Sequence, residues 1–287
     1  MRKLLVLALA LFALSVLAAA CGGDDDEGAP TTTAAPAGEE TTTEAAPDLS
    51  GILQEDGVLI VGAEPPAPPF IIPPYPDDPT GFEVDVAREI GARLGIPEVR
   101  FIEFVWTNLF SPAPKPFDFD INETTITEER DEVVDFSDPY FEANQAVLVH
   151  TGSDAEQATS IADVAGLLLG AQEATTGLVY IRENIKPTQT ERVFPTTAAA
   201  NQALLNQTID AFIIDLPIAA GLVGENPDEL AVVGQFITNE EWGIVFEEGS
   251  GLVEHVNRVL QEMKDDGTLT ELQEQYLPGT ADVPAFE

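Results

Sequence analysis

Cysteine, histidine and basic residues are all scarce in this chain. Cys21 is the only cysteine among 287 residues, so no intrachain disulfide can form. The 12 Lys and Arg residues stand against 51 Asp and Glu residues, and the formal net charge is −39. A field of this sign repels phosphate backbones and anionic membrane surfaces, which argues against nucleic acid as a partner. No metal-ligand cluster, phosphate-binding loop or nucleophile–base pair stands out in the sequence, so we expect neither a metal nor another cofactor.

The first fifty residues have the pattern of an export and anchoring segment. Met1 to Lys3 is basic, Leu4 to Ala20 is almost wholly apolar and LAAAC ends at Cys21, which predicts a signal peptide over 1–20 and a lipobox cysteine. We expect lipid attachment at Cys21 and a location outside the cytoplasm on the cell membrane. An ordinary signal peptide with a chance cysteine and an uncleaved anchor are the alternatives. Residues 21–50, rich in Gly, Ala, Thr, Pro and acids, are predicted to form a disordered acidic tether.

Beyond the tether, strand and helix patterns alternate. Val58 to Gly62 reads as a buried strand followed by a proline-rich loop. Phe82, Val86 and Ile90 mark one face of a helix. A second, similar series begins after His150. This alternation predicts an α/β protein whose mainly parallel sheets are flanked by helices.

The segment from Phe117 to Val149 has the pattern of a strand followed by an anion-binding turn. Its first residues, FDFDI, alternate apolar and acidic side chains, as a half-buried strand does. Thr127 and Arg130 follow at a predicted helix start, where free backbone N–H groups and a guanidinium suit a carboxylate. Arg130 also has acidic neighbours on both sides, so a surface ion pair is the alternative interpretation.

The same segment, with TTITEER before VVDFSDPYF and QAVLV, resembles the signature of extracellular solute-binding proteins of family 3, which serve polar amino-acid ABC importers. The blocks TGFEVDVAREIGARLG, GAQEATTG, IDAFIID and EWGIVFEEGS are also similar to that family's pattern. The resemblance implies a two-lobed periplasmic-binding-protein (Venus flytrap) fold of type II, with two mainly parallel sheets and a two-segment hinge. Lobe 1 would comprise residues 51–149 and 240–281 and lobe 2 residues 150–239. The chain would cross between the lobes at 149–152 and 237–240.

The resemblance also implies roles for individual residues. Arg130, helped by the hydroxyl and N–H of Thr125, would bind the ligand's α-carboxylate, and Thr176 would add a donor from the other lobe. Asp215 would accept the α-ammonium, unless it only caps the next helix. Trp106 would form one wall of the side-chain pocket, with ordinary core packing as the alternative. The residues expected to contact the ligand are Glu64, Phe70, Trp106, Asn122, Glu123, Thr125, Arg130, Thr175, Thr176 and Asp215.

Three positions depart from the residues usual in this family. Ala67 stands where many relatives have an aromatic ring, Glu64 where many have Asp, and Glu123 where Gly or Ser is usual. Carboxylates at positions 64 and 123 favour a ligand with a cationic side chain, such as lysine, arginine or ornithine. The alternatives are that Glu123 points to solvent and that Glu64 bonds loop amides.

We therefore expect a monomeric binding protein, not an enzyme, that captures a polar amino acid and delivers it to the permease and ATPase subunits of an ABC importer. Two other functions stay open. One is a lipid-anchored ligand sensor. The other is an enzyme on the same scaffold that resembles cyclohexadienyl dehydratases, for which Glu64 or Glu123 would supply the acid or base. His150 and His255 are expected to be structural or solvated.

Overall fold

The predicted alternation of strands and helices is present in the protein. A computed structural model describes residues 47–277 and 283–286, which belong to one compact unit, Ala45–Glu287. The predicted signal peptide, Cys21 and most of the predicted tether lie outside the described residues. None of the described helices combines the length and the apolar character that crossing a membrane requires.

The secondary structure elements follow one another in chain order. The strands are β1 (Val58–Ala63), β2 (Glu98–Glu103), β3 (Phe119–Asp120), β4 (Asp135–Phe136), β5 (Phe141–His150), β6 (Leu169–Gln172), β7 (Arg192–Phe194), β8 (Ala211–Asp215), β9 (Leu230–Trp242) and β10 (Val245–Phe246). The helices are α1 (Phe82–Arg93), α2 (Trp106–Leu109), α3 (Glu128–Asp131), α4 (Ile161–Val164), α5 (Thr176–Tyr180), α6 (Thr197–Leu205), α7 (Leu216–Glu225), α8 (Val253–Asp265) and α9 (Thr268–Tyr276). A short π-helical segment, Ile181–Ile185, continues α5.

Each lobe is built on a five-stranded sheet. The first sheet has the order β2-β1-β3-β10-β4, in which β1 is parallel to β2 and β3, and β10 is antiparallel to β3 and β4. The second has the order β7-β6-β8-β5-β9, in which β6 is parallel to β7 and β8, and β5 is antiparallel to β8 and β9. The two-lobed α/β fold is confirmed. Both sheets are mixed because the strands next to the crossings reverse direction.

Apolar side chains cover both faces of the second sheet. Along β8, Ala211 and Ile213 pack with α4 and α5, whereas Phe212 and Ile214 pack with α6 and α7. This alternation is the side-chain period of a strand. In the first lobe, α1, α8 and α9 bury their apolar faces against one side of the first sheet.

The β3 region differs from the predicted half-buried strand. The strand has two residues, and Asp118 and Asp120 are as buried as the phenylalanines beside them. The Asp118 carboxylate accepts hydrogen bonds from the N–H groups of Gln54 (2.7 Å) and Ile60 (2.6 Å). Because β3 lies in the middle of a sheet that is covered on both faces, its acidic side chains do not reach solvent.

The chain crosses between the lobes along β5 and β9. Phe141 pairs with Trp242 and stacks on it at a centroid distance of 4.8 Å within the first core, whereas Val147 and Val149 pack in the second core. A register shift at 143–145 separates these two parts of β5. The first crossing therefore lies upstream of the expected 149–152, since 149 is already a core residue of the second lobe. The return passage runs through 237–240, where Asn239 has a left-handed φ of 50°.

Candidate functional site

The carboxyl ends of four strands meet at a cavity between the lobes. Glu64 follows β1 and Asn122 follows β3, while Gln172 ends β6 and Asp215 ends β8. The cavity volume is about 140 Å³, roughly ten times the 10–15 Å³ that one water needs. Nine of the residues predicted to contact a ligand line it, namely Glu64, Trp106, Asn122, Glu123, Thr125, Arg130, Thr175, Thr176 and Asp215.

Arg130 is a buried guanidinium at the start of a short helix. The Thr127 hydroxyl caps α3 by accepting from Arg130 N at 3.2 Å. Arg130 Nη1 donates to the Thr125 carbonyl (2.6 Å), and Nη2 donates to the Ala174 carbonyl of the other lobe (3.0 Å). The guanidinium carbon lies 4.5 Å from the ring centroid of Phe110 and 5.2 Å from that of Trp106.

Arg130 has no carboxylate within ion-pair distance among the described residues, so it is not the surface ion pair considered above. Burial lowers the pKa of Arg130 to about 10, and the charges of Asp215, Glu240 and Glu129 oppose this shift. The guanidinium is therefore charged at neutral pH. A buried charge without a counterion is unfavourable, and an anion in the cavity would relieve it.

Asp215 supplies a buried acid from the second lobe. It ends β8 at the N-cap position of α7, but its side chain makes no capping hydrogen bond to that helix. Its Oδ1 accepts from Gln145 Nε2, and its Oδ2 accepts from the Trp242 indole at 3.1 Å. Burial and the charge of Glu240 raise the pKa of Asp215 to about 8, against the hydrogen bonds from Gln145 and Trp242 and the charge of Arg130.

The hydroxyls of Thr125, Thr175 and Thr176 have different partners. Thr175 caps α5 by accepting from Leu178 N (3.2 Å) and donates to the Gln172 carbonyl. Thr125 and Thr176, from different lobes, both donate to the Glu240 carboxylate, at 2.8 and 2.6 Å. Through these two hydrogen bonds, Glu240 on β9 links the two lobes behind the cavity.

Glu64 is held by the loop and by the opposite lobe. Its Oε1 accepts from Trp106 N at 3.0 Å, and its Oε2 accepts from Gln172 Nε2 at 2.9 Å. The interpretation that Glu64 bonds loop amides agrees with this geometry. The charge of Glu64 contributes to raising the pKa of Glu123 and of Asp120.

Glu123 lines the cavity and belongs to a buried acidic cluster with Glu83, Asp120 and Tyr140. Its N–H donates to Glu83 at 2.8 Å, and Tyr140 donates to the same Glu83 oxygen. Glu123 Oε1 is buried without a hydrogen-bond partner among the described residues. Burial, followed by the charges of Glu83, Asp215, Asp120 and Glu64, raises its pKa well above the usual range. The φ of 46° at Glu123 explains why glycine would suit this position.

Two of the expected aromatic contacts have other roles. Phe70 is fully buried in the first core, edge-on to Phe82 and Trp242, and does not line the cavity. It lies inside because the loop after β1 turns this side chain into the first core. Trp106 lines the cavity, but one ring contact is with Arg130 and its indole donates to the Glu173 carbonyl at 3.0 Å. Both the pocket interpretation and the packing interpretation of Trp106 therefore apply.

Several site residues were not predicted from the sequence. Gln172 could have been found, because it ends β6 as Asp215 ends β8. Gln145 and Glu240 lie on the crossing strands and reach the site only because those strands pass behind it. The remaining unpredicted lining residues come from the β1 loop, the start of α5, the start of α6 and the β8–α7 region: Pro65, Pro66, Ala67, Gly177, Thr196, Thr197, Ala198, Phe212, Ile213, Ile214 and Ile218.

Contacts across the cavity show that the lobes are closed. Gln172, Glu173 and Ala174 of the second lobe bond Glu64, Trp106 and Arg130 of the first, respectively. Within residues 47–277 and 283–286, no group of three or more His, Cys, Asp or Glu side chains is arranged to hold a metal ion.

The protein has two α/β lobes that are joined by two strands and closed around a cavity. A buried cation lies on one side of this cavity and a buried acid on the other. This arrangement defines a solute-binding protein. The sequence confirms this class. The chain belongs to the bacterial extracellular solute-binding proteins, family 3, whose family model matches residues 59–279. Membership of this family places the protein outside the cytoplasm.

The similar proteins bind amino acids. The chain is 31% identical over 226 residues to the L-cystine-binding protein TcyJ of Escherichia coli K12, covering 78% of this chain and 84% of that protein. It is 32% identical over 201 residues to the ABC transporter glutamine-binding protein GlnH of Bacillus subtilis 168, covering 69% and 72%.

Solved structures with the same fold include an ancestral arginine-binding protein bound to glutamine, with a TM-score of 0.69 and 34% identity over 77% of this chain and 98% of that one. The ancestral amino acid-binding protein AncCDT-1, a precursor of cyclohexadienyl dehydratase, has a TM-score of 0.69 and 31% identity over 77% and 96%. These relatives are binding proteins, and the last is a precursor of an enzyme.

Proposed function

We propose that this protein captures one polar α-amino acid, with a preference for a basic side chain, and delivers it to an ABC import permease. One observation carries the proposal. Among the described residues, Arg130 is a buried cation without a carboxylate partner and Asp215 is a buried acid without a basic partner, and both line one interlobe cavity. A zwitterion supplies the missing charge to both. Named relatives that bind cystine, glutamine and arginine support this ligand class.

The α-carboxylate would bind at Arg130. A guanidinium has five N–H donors, and the two carbonyl contacts of Arg130 leave donors for a bidentate bond to a carboxylate. The backbone of Thr125, which lines the cavity beside Arg130, would add a further N–H. The aromatic rings around the guanidinium hold it in place.

The α-ammonium would bind at Asp215. The bonds from Gln145 and Trp242 fix the orientation of this carboxylate and leave lone pairs for a third donor. An ammonium against Asp215 favours the ionised form and thus lowers the pKa of the carboxyl from about 8.

A basic side chain would extend toward Glu123. The buried Oε1 of Glu123 lacks a partner among the described residues, and a guanidinium or ammonium would provide one. Glu64 already accepts two hydrogen bonds and would contribute its charge. Ala67 lines the wall where many relatives have an aromatic ring, which leaves room for a long side chain.

Binding would be coupled to lobe closure. The carboxylate and ammonium of the ligand contact groups from different lobes, so the ligand binds the closed form more tightly and shifts the population toward it. Micromolar affinity, about 8 kcal/mol, suffices for capture. We propose that Cys21 carries a lipid that holds the monomeric protein at the membrane, where the permease subunits recognise the closed form.

A dehydratase is the second candidate, favoured by the similarity to AncCDT-1 and by the buried acid Glu123. Proton transfer would need a base as well as an acid at the reacting atoms. No histidine among the described residues lines the cavity. We therefore propose that the protein binds its ligand and does not transform it. A role in import is favoured over a role as a ligand sensor, because the relative GlnH is named as an ABC transporter component.

Thermal unfolding of residues 48–287 against the twenty amino acids and common polyamines tests the proposal. A ligand at a hundredfold excess over its Kd stabilises the protein by about 2.7 kcal/mol. We expect a shift with lysine, arginine or ornithine that Arg130→Ala and Asp215→Asn abolish and that Arg192→Ala, an exposed position on β7, retains. No shift with any amino acid would refute the proposal.

Side-chain preference is tested separately. Replacing Glu64 and Glu123 by Gln removes the negative charge from the pocket wall while keeping the size of both side chains. We expect the double variant to lose its preference for basic over neutral amino acids. An unchanged preference would refute the proposed selectivity for basic side chains, but not the proposed binding of the α-carboxylate at Arg130 and the α-ammonium at Asp215.

A further inference from the structure

Glu240 is the centre of a hydrogen-bond network behind the cavity. Its Oε2 accepts from the hydroxyls of Thr125 (2.8 Å) and Thr176 (2.6 Å), and its Oε1 accepts from Gln145 Nε2 (3.0 Å). Three donors from three different segments thus converge on one carboxylate. Thr125 and Thr176 line the cavity from opposite lobes.

We infer that Glu240 is a positioning residue that orients both threonine hydroxyls so that they accept hydrogen bonds from the ligand. A hydroxyl has one proton to donate and two lone pairs, and an ionised carboxylate can only accept. Both hydroxyl protons are therefore directed at Glu240. The Thr176 oxygen also accepts from Gln145 Nε2 at 3.3 Å, so the cavity is offered one lone pair of Thr176 and two of Thr125, which suits an ammonium and disfavours a carboxylate.

This inference rests on the proposed function and changes one part of it. The sequence resemblance gives the Thr125 hydroxyl to the α-carboxylate, whereas the geometry gives it to the cationic end of the ligand. The ammonium seat then consists of Asp215 and the two threonine oxygens, and the carboxylate seat of Arg130 and backbone N–H groups. Ligands without an α-ammonium are discriminated against because they leave these acceptors unpaired.

Gln145 helps to define the direction of the network. Its amide nitrogen lies between Asp215 and Glu240, so a reversed amide would place an oxygen against two carboxylates. The amide therefore donates to both acids. Asp215 and Glu240 are in this way held by one side chain, and a change at Glu240 would act at the ammonium seat.

The test compares Glu240→Gln with Glu241→Gln in the soluble chain from Ala45 to Glu287, using calorimetric titration. Glu241 is the next residue on the same strand, and it is exposed. A glutamine at 240 that keeps its oxygen toward Gln145 places its NH2 group against both threonines, whose own protons then point into the cavity. The probes are L-arginine and L-glutamine, each paired with its deamino analogue, guanidinovalerate or glutaramate.

We expect Glu240→Gln to weaken binding of the amino acid at least tenfold and binding of its deamino analogue less than threefold, with no effect of Glu241→Gln. Thr176→Val should reproduce the selective loss if Glu240→Gln folds poorly. Equal losses for both members of a pair would show that Glu240 only holds the lobes together. If Glu240→Gln and Glu241→Gln bind each probe equally well, the inference about Glu240 is overturned and the proposed function is unaffected. If the unaltered protein binds none of the twenty amino acids, the proposed function is overturned as well.

Discussion

Replacing Gly221 by Ala should obstruct lobe closure without harming the fold of either lobe. Gly221 lies in α7 of the second lobe and faces the proline-rich loop after β1 in the first. A Cβ at this position would lie 2.7 Å from Pro69 Cδ and closer still to the Pro68 carbonyl oxygen. Because that oxygen belongs to the backbone, the clash is relieved by separating the lobes.

The two effects of this change have opposite signs. Overpacking of this kind costs about 1–3 kcal/mol, and here the cost falls on the closed form only, so affinity should fall roughly five- to 150-fold. In the open form, Ala in a helix is more favourable than Gly by about 1 kcal/mol. The unfolding temperature of the ligand-free protein should therefore stay the same or rise.

Calorimetric titration and thermal unfolding of the same samples measure both effects. Gly224→Ala is the matched control, because it lies in the same helix with open space around it. Equal affinities of the two variants would show that the lobes do not approach here in the ligand-bound protein. An unfolding temperature several degrees lower for Gly221→Ala alone would show that this contact belongs to folding and not to closure.

Four further predictions concern Asp215, Phe70 and Phe286. Ligand binding should release a proton from Asp215, so affinity should rise about tenfold per pH unit up to about pH 8 and level off above it. Calorimetry in buffers of different ionisation enthalpy measures this proton release, which Asp215→Asn should abolish. In the ligand-free protein the same raised pKa should make stability fall between about pH 4 and pH 8, because the unfolded chain releases this proton near pH 4 whereas the folded protein holds it until about pH 8. Phe70→Ala should destabilise the protein by about 3–5 kcal/mol in denaturant titration while the order of ligand preference persists, because Phe70 is core. Phe286→Ala should lower the unfolding free energy by about 2 kcal/mol, since its ring packs on Phe236 and over Gly234; no change would mean that this contact is not formed in solution.

The acidic cluster behind the cavity shows how burial sets chemistry in this protein. Glu83 lies in the first turn of α1, where an acid normally favours the helix start, yet it is fully buried. Burial raises its pKa to about 7, and burial together with the charges of Glu83, Asp215, Asp120 and Glu64 raises the pKa of Glu123 well above its usual range. These acids can therefore sit together without a metal, and a cationic ligand would compete with their protons.

Local pattern was sufficient for much of the fold. The apolar face of α1 and the helix start at Thr127 lie where the sequence predicts them, because these features depend on neighbours within a few residues. The same holds for strand ends such as Asp215, which a parallel sheet directs toward one edge.

What the sequence by itself determined was the family, the two-lobed α/β fold and the choice of Arg130 and Asp215, which line one cavity. The tertiary structure decided which polar groups share that site, since Gln145 and Glu240 reach it from crossing strands far away in the chain. It also placed Phe70 in the core and buried Glu123 among other acids. Burial, hydrogen-bond direction and pKa depend on contacts between distant segments, and no local pattern contains them.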